Sequence, residues 1–131
     1  MGTTAENSAI EKLLSGYGDA LNVSDIPKTV ALYTKDGTIM PQGAPLAKGE
    51  EQLRAAYEGL FKAFQLNVEY STDEVNVNGD HAFVRTHSKG TTLIRASGET
   101  VPVDNKEVFE LLKVSGEWKI SHYIFNNNKT R

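Results

Sequence analysis

The chain contains no cysteine, one tryptophan, four prolines and no long apolar run. Without cysteine it has no disulfide, no zinc–thiolate site and no thiol nucleophile. No stretch approaches the roughly 18 consecutive apolar residues of a membrane span. Basic residues are neither in excess nor clustered: 14 stand against 17 acidic ones, for a net charge of −3. That excludes the sequence-independent binding to nucleic acid or acidic membrane that grouped Lys and Arg provide. No Gly-rich phosphate loop follows a strand, and no serine sits in a nucleophile elbow. The start, Met1 to Asn7, is small and polar with an early Glu6, not the basic-then-apolar pattern of a secretory signal. With 39% hydrophobic and 24% charged residues, the composition is that of one globular domain over residues 1–131, expected in the cytoplasm.

What the chain does have is periodicity, and the period changes once. Ile10, Leu13, Leu14, Tyr17 and Leu21 recur at helical spacing and predict an amphipathic helix over about residues 6–22. Ser24 is placed to cap a second, short helix carrying Ile26, Val30 and Tyr33 and ending near Gly37. A Pro- and Gly-rich passage from Met40 to Gly49 leads to a third helix with the stripe Leu53, Tyr57, Leu60 and Phe64. From Leu66 the period is two. Asn78-Gly79, Ser97-Gly98 and Ser115-Gly116 divide this half into four antiparallel strands, about 66–78, 80–96, 99–114 and 117–127. A short strand at Thr38–Met40 precedes them. Leu66, Val68 and Tyr70 are out of phase with Val75 and Val77, which a bulge near Thr72–Glu74 reconciles.

If each turn is a two-residue loop, register follows from arithmetic. Phe109 faces His122, Leu111 faces Ile120, Glu107 faces Ile124 and Asn105 faces Asn126. Likewise Ser88 faces Glu107, Thr86 faces Phe109, Val84 faces Leu111 and Val75 faces Ala82. One face then collects Val75, Val77, Ala82, Val84, Thr86, Val101, Val103, Phe109, Leu111, Trp118, Ile120 and Ile124, and is the side the helices cover. Set into it are Ser88, Asn105, Glu107, His122 and Asn126. A carboxylate on an apolar face is costly unless a network holds it, which makes this the place to look for function.

His122 lies diagonal to Glu107, within side-chain reach, so the two are an expected acid–base pair. Burial raises a carboxyl's pKa and an adjacent imidazolium lowers it again. Such a pair can move a proton beside a carbonyl or hydroxyl. The plainer reading is a satisfied structural network closed by Ser88, Asn105 and Asn126. As metal ligands Glu107 and His122 are too few for a catalytic zinc, so no metal is expected. A single bulge in the last strand would reverse the faces, bringing Tyr123 and Phe125 inward and sending His122 out. The opposite face, with Arg85 across from Glu110, also carries Phe83, Val108, Leu112, Tyr123 and Phe125. It is too apolar for plain solvent, and a second copy is expected against it as a homodimer.

Three helices and then a long, bent sheet, closed by Gly116-Glu117-Trp118-Lys119-Ile120 running to Tyr123-Ile124-Phe125-Asn126, resemble a known fold. It is the cone-shaped, cystatin-like fold of the nuclear transport factor 2-like superfamily, in its SnoaL-like and ketosteroid-isomerase-like branch. The stretch from Tyr17 to Gly43 is similar to ketosteroid isomerase at Tyr17, Leu21-Asn22, Asp25, Val30-Ala31-Leu32-Tyr33, Asp36, Thr38, Pro41 and Gly43. The resemblance covers nearly the whole chain and implies an α+β fold of three N-terminal helices packed on a curved, mainly antiparallel sheet. It implies for Tyr17 the part of an oxyanion-stabilising tyrosine, and for Glu107 that of the neighbouring acid. The family's base would stand just before the Pro-x-Gly turn, where this chain has Met40. The steroid isomerase reaction therefore does not carry over, and a His-plus-carboxylate arrangement is closer to the superfamily's dehydratases and cyclases.

Two functions are expected on this basis. The first is a cofactor-free isomerase, dehydratase or cyclase acting on a small hydrophobic, oxygenated, polyketide-like molecule. Glu107 and His122 would exchange the proton and Tyr17 would stabilise oxyanion charge. Ser88, Asn105, Asn126, Met40, Tyr57 and Phe109 would line the substrate site. The second is a non-catalytic ligand-binding or dimerisation module, favoured by the missing base at Met40 and the apolar outer face.

Overall fold

The computed structural model describes residues 4–128; Met1 to Thr3 of the polar N-terminal stretch, and residues 129–131 at the far end of the one-domain span, lie outside the described residues. Helix α1 (Thr4–Asn22) buries Ile10, Leu14, Tyr17 and Leu21, as their spacing predicts. Both its ends are tied to the sheet half of the chain. Near the start, Glu6 accepts from Lys113 Nζ at 3.0 Å and Trp118 Nε1 at 3.1 Å. At the other end, Asn22 Nδ2 donates to the Val68 carbonyl at 2.9 Å and Asn22 Oδ1 accepts from Val68 N at 2.8 Å. These bonds occupy backbone groups of an edge strand, which would otherwise be open to another chain.

Helix α2 (Ile26–Ala31) is shorter than the sequence suggests. Its cap is Asp25, whose side chain accepts from Lys28 N at 3.0 Å, and not Ser24, which sits at φ 56°. Tyr33 lies beyond this helix and opens β1 (Tyr33–Met40), so the expected strand at Thr38–Met40 extends to eight residues. After β2 (Ala47–Lys48), helix α3 (Gly49–Ala63) buries Leu53, Tyr57 and Phe61, and Phe64 leaves the helix to begin β3. The strands β3 (Phe64–Asn78), β4 (His81–Ile94), β5 (Thr100–Val114) and β6 (Glu117–Asn127) form the meander. The six-stranded sheet has the order β2-β1-β6-β5-β4-β3, with β1 parallel to β6 and every other pair antiparallel. It is an α+β fold in which three helices, one of them a single short piece, accompany a curved sheet. No helix of the described residues is long and apolar enough to cross a membrane.

The register corrects the turn arithmetic in three places. The first turn is centred on Gly79-Asp80, so Val75 faces Val84 and not Ala82. The second is longer than two residues, closed by Ile94 N donating to Glu99 O at 2.8 Å, so Thr86 faces Glu107 and Ser88 faces Asn105. Both displacements are by two residues, and an even displacement leaves every side chain on its face. The third turn, Ser115-Gly116, is placed as expected and Leu111 faces Ile120. Beyond it β6 bulges at Ser121, and Glu110 faces His122, Phe109 faces Tyr123 and Glu107 faces Phe125. This displacement is by one, so it exchanges the faces. The Ser121 hydroxyl donates to the Glu110 carbonyl at 3.1 Å, supporting the chain where the ladder breaks. A second bulge lies between Thr72 and Glu74, where the phase change in β3 requires one.

The sheet bends where β3 passes close over Gly90 of β4. At φ 150°, a Cβ on Gly90 would stand 2.0 Å from the Asn67 carbonyl oxygen. Gly90→Ala is therefore expected to destabilise the fold by about 3 kcal/mol or more, through backbone strain and a backbone clash. Urea unfolding measures it, and a variant within about 0.5 kcal/mol of wild type would show that the bend does not need glycine there.

Candidate functional site

Between the helices and the concave side of the sheet remains an apolar hollow of about 300 Å³. Aliphatic and aromatic side chains make most of its wall, Tyr17, Tyr57, Tyr70 and Tyr123 among them, joined by the polar Ser88, Thr92 and Asn105. No Asp, Glu, His, Lys or Arg stands among its described lining residues.

All five tyrosines of the chain meet here. Tyr17 stands at the centre, its ring meeting the edges or faces of Tyr33, Tyr57, Tyr70, Tyr123 and Phe109 at 5.6–6.4 Å between centroids. The Tyr57 hydroxyl is bonded to Tyr17 on one side and to Tyr33 on the other, the latter at 2.7 Å. Three hydroxyls bring three protons to two links, so one proton of this chain is left to donate elsewhere. Tyr70 and Tyr123 form a second pair at 3.0 Å. Burial pushes the ionisation of all five far up, so each remains a neutral donor at any ordinary pH.

Glu107 is 2% exposed, between these tyrosines and the sheet. Its two oxygens each accept one hydroxyl: Thr86 Oγ1 at 2.5 Å and Ser88 Oγ at 2.5 Å. Removal from water raises its pKa above the ordinary carboxylate range, against the smaller lowering effects of the Ser88 and Thr86 bonds and of His87. Ser88 belongs to the wall of the hollow, so Glu107 stands directly behind it.

The structure thus brings together Tyr17, Tyr57, Ser88, Asn105 and Glu107, and places four other expected site residues elsewhere. His122 lies on the outer face, its side chain 53% exposed and its Nδ1 2.8 Å from Glu110 Oε1. The bulge at Ser121 put it there, and the Glu107–His122 pair is withdrawn. Asn126 follows on the same outer side, opposite Lys106, and Ile124 is exposed, not in the core. Met40 is half-buried at the end of β1, while Ile39 before it and Pro41 after it border the cavities. Phe109 is wholly buried beneath the wall, stacked on Tyr123 at 4.2 Å and 6°. Conversely, Thr86, Tyr33, Tyr70 and Tyr123 belong to the cluster and were not on the expected list. The signal for Tyr123 lay in the sequence: two aromatics two residues apart, Tyr123 and Phe125, assigned to a solvent face call for a bulge.

Glu107 generates a pH prediction whose sign is fixed. In the interval between the ordinary carboxylate range and its raised value, the folded protein holds a proton that the unfolded chain has released. Stability contributed by this group is therefore present at low pH and is lost as pH rises through the folded-state pKa. Glu107→Gln removes that dependence, so the variant should gain on wild type as pH is raised from about 4 to about 8. Urea midpoints of both proteins across that range check it; a difference that stays constant would mean that burial does not raise the pKa of Glu107.

Comparison with known proteins places this geometry. The family model described as SnoaL-like domain matches residues 14–121. A ketosteroid isomerase-like protein from Erwinia carotovora atroseptica SCRI1043 superposes with a TM-score of 0.90 at 32% identity, over 98% of this chain and 100% of that one. A type 2 hexachlorocyclohexane dehydrochlorinase matches at TM-score 0.82 and 14% identity, over 95% of this chain and 86% of that one. A candidate scytalone dehydratase from Novosphingobium aromaticivorans DSM 12444 matches at 0.79 and 18%, over 97% and 90%. No curated protein matches the sequence significantly. With the family model spanning most of its length and the cone of helices and bent sheet in place, the chain belongs to the SnoaL-like domain family.

Proposed function

We propose that the chain holds a small hydrophobic, oxygenated, polyketide-like molecule in the hollow and shifts a proton on it, as a cofactor-free isomerase, dehydratase or cyclase. The observation that carries this reading is Glu107, a carboxyl buried among hydroxyls behind the wall of an apolar cavity. Burial raises the pKa of this carboxyl, which makes its carboxylate a stronger base than one in water. When the links run from Tyr33 through Tyr57 to Tyr17, the spare proton is carried by Tyr17, which lines the hollow. It then serves an oxygen on which negative charge develops. Ser88 and Asn105 orient the substrate, against the ring of Tyr57. Met40 stands where the resemblance puts the family's base, so the proton passes between substrate and Glu107 by way of the Ser88 hydroxyl, which lines the hollow and donates to Glu107, in shifts or eliminations at that wall. Eliminations are what the names of two similar structures denote, the dehydrochlorinase and the candidate dehydratase.

A second reading is favoured by the same Met40 and by the lack of ionisable groups among the described lining residues: a ligand-binding module without chemistry. For either reading we propose a homodimer through the outer sheet face. Phe83 and Ile124 are 43% and 45% exposed there, beside Arg85, Lys106 and Glu110, whose opposite charges suit a self-complementary contact. Sedimentation at micromolar concentration should give a dimer, and a sharp monomer peak rejects it.

Native mass spectrometry of the purified chain is expected to show a retained small molecule. With that molecule as ligand, Tyr17→Phe should weaken binding by roughly 2- to 13-fold, the worth of a neutral hydrogen bond of about 0.5–1.5 kcal/mol. Glu107→Gln should keep binding and lower turnover by about 10²–10⁴-fold. Binding without turnover in wild type would establish the second reading, whereas wild-type turnover in Glu107→Gln would remove Glu107 from the chemistry.

A further inference from the structure

Ile39, Tyr57, Leu60, Phe64 and Phe125 line both the hollow and a second cavity of about 660 Å³, and form the waist at which the two adjoin. This outer chamber runs between the 41–47 connection and α3. The helix faces it with Gln52, Ala55, Ala56 and Gly59, at spacings that share one side of a helix. Three of these four are the smallest side chains available, and a Cβ built on Gly59 would meet no atom within 4 Å. Across from them stand Ala44, Pro45 and Leu46, the last 54% exposed.

The chamber lining is poor in polar groups. Gln52 Oε1 accepts from Lys48 N at 2.9 Å, and the Tyr57 hydroxyl is taken up between Tyr17 and Tyr33. The connection itself is held across the opening, with Gln42 Oε1 accepting from Asn127 N at 2.6 Å. Tyr17, Ser88, Thr92 and Asn105 line the hollow, with Glu107 behind Ser88, and none of these lines the chamber. Polarity is therefore sorted between two adjoining cavities.

We propose that the outer chamber takes the hydrocarbon tail of the ligand whose oxygenated head lies in the hollow, so that the ligand class is an elongated amphiphile and not a compact ring system. This rests on the ligand-pocket reading of the hollow. Each methylene laid along the chamber covers apolar surface that otherwise faces water. Burial worth about 0.8 kcal/mol per methylene corresponds to roughly fourfold in affinity for each one added.

The test is a homologous series of unbranched methyl ketones, from six to fourteen carbons as roughly the span of hollow and chamber, titrated calorimetrically into the full chain. Wild type should bind progressively tighter beyond the length that fills the hollow. Gly59→Leu and Ala56→Leu project bulk into the chamber from exposed helical positions, where leucine is well tolerated. In both, the gain in affinity should stop at that length, with the fold verified by circular dichroism. A wild-type affinity that levels off among the short homologues, or variants that climb as wild type does, overturns the tail site while leaving the hollow as a ligand site. Failure of every homologue to bind overturns the reading of the hollow and the tail with it. A variant that changes only the sedimentation behaviour marks the chamber as a protein contact, which also overturns the proposal.

Discussion

Ser121 is one residue more than β6 needs, and everything in the hollow depends on it. Without the bulge, His122 and Ile124 would point inward and Tyr123 and Phe125 would face solvent. An aromatic side chain buries about 150–250 Å², worth roughly 4–6 kcal/mol at about 25 cal/mol per Å². Burying isoleucine instead returns about 1.5–3 kcal/mol, and an imidazole taken from water returns less or nothing. These are upper bounds, but the difference over two aromatics exceeds what one interrupted ladder bond costs. The Ser121 hydroxyl offsets part of that cost at the Glu110 carbonyl. The exchange also lets Tyr123 stack on Phe109 and bond to Tyr70, which joins the last strand to the aromatic centre around Tyr17.

The same bulge determines the electrostatics of Glu107. An imidazolium beside it would have supplied a counter-charge and lowered its pKa. His122 instead pairs with Glu110 on the outer face, and His87 is engaged there by Asp73 at 2.8 Å. What remains inside is a carboxyl with two hydroxyl donors and, near it, the neutral Tyr70 and Tyr123. Hydroxyls can turn to accept as readily as they donate, so Thr86 and Ser88 can serve the neutral acid as well as the carboxylate. The site is thus built to tolerate a change of protonation without losing its hydrogen bonds, which an ion pair could not do.

The architecture could be read from the sequence because it rests on features repeated many times: helical spacing through Leu21, a change of period at Leu66, and three turn signals. The bulge near Thr72–Glu74 was legible too, since two runs of apolar residues in the same strand were out of phase. Glu107, Tyr17, Ser88 and Asn105 were found because even register errors do not change faces. His122, Ile124 and Asn126 were misplaced because a single odd displacement does, and a bulge leaves no mark on hydrophobic alternation until its aromatics are weighed. Tyr33 was missed for a different reason. It was counted on a helix that ends at Ala31, and its strand pairs with β6 across 87 residues, from Tyr33 to Ile120, a contact no local pattern announces.

Ile39, and not Met40, is the end of β1 that meets the hollow. Successive strand residues face opposite ways, so Met40 turns with its partner Ile124 to the outer face and lines neither cavity. The waist formed by Ile39, Tyr57, Leu60, Phe64 and Phe125 therefore carries no charged side chain, and Glu107 is held apart from it behind Ser88. A charged waist would reject a hydrocarbon chain, since moving methylenes past an ionised carboxylate strips its water without replacement. An apolar waist admits the chain and leaves orientation to the hydroxyls and Glu107 inside. Selectivity in such a cavity comes from matching one polar end to one polar end, with the length of the molecule read by the chamber.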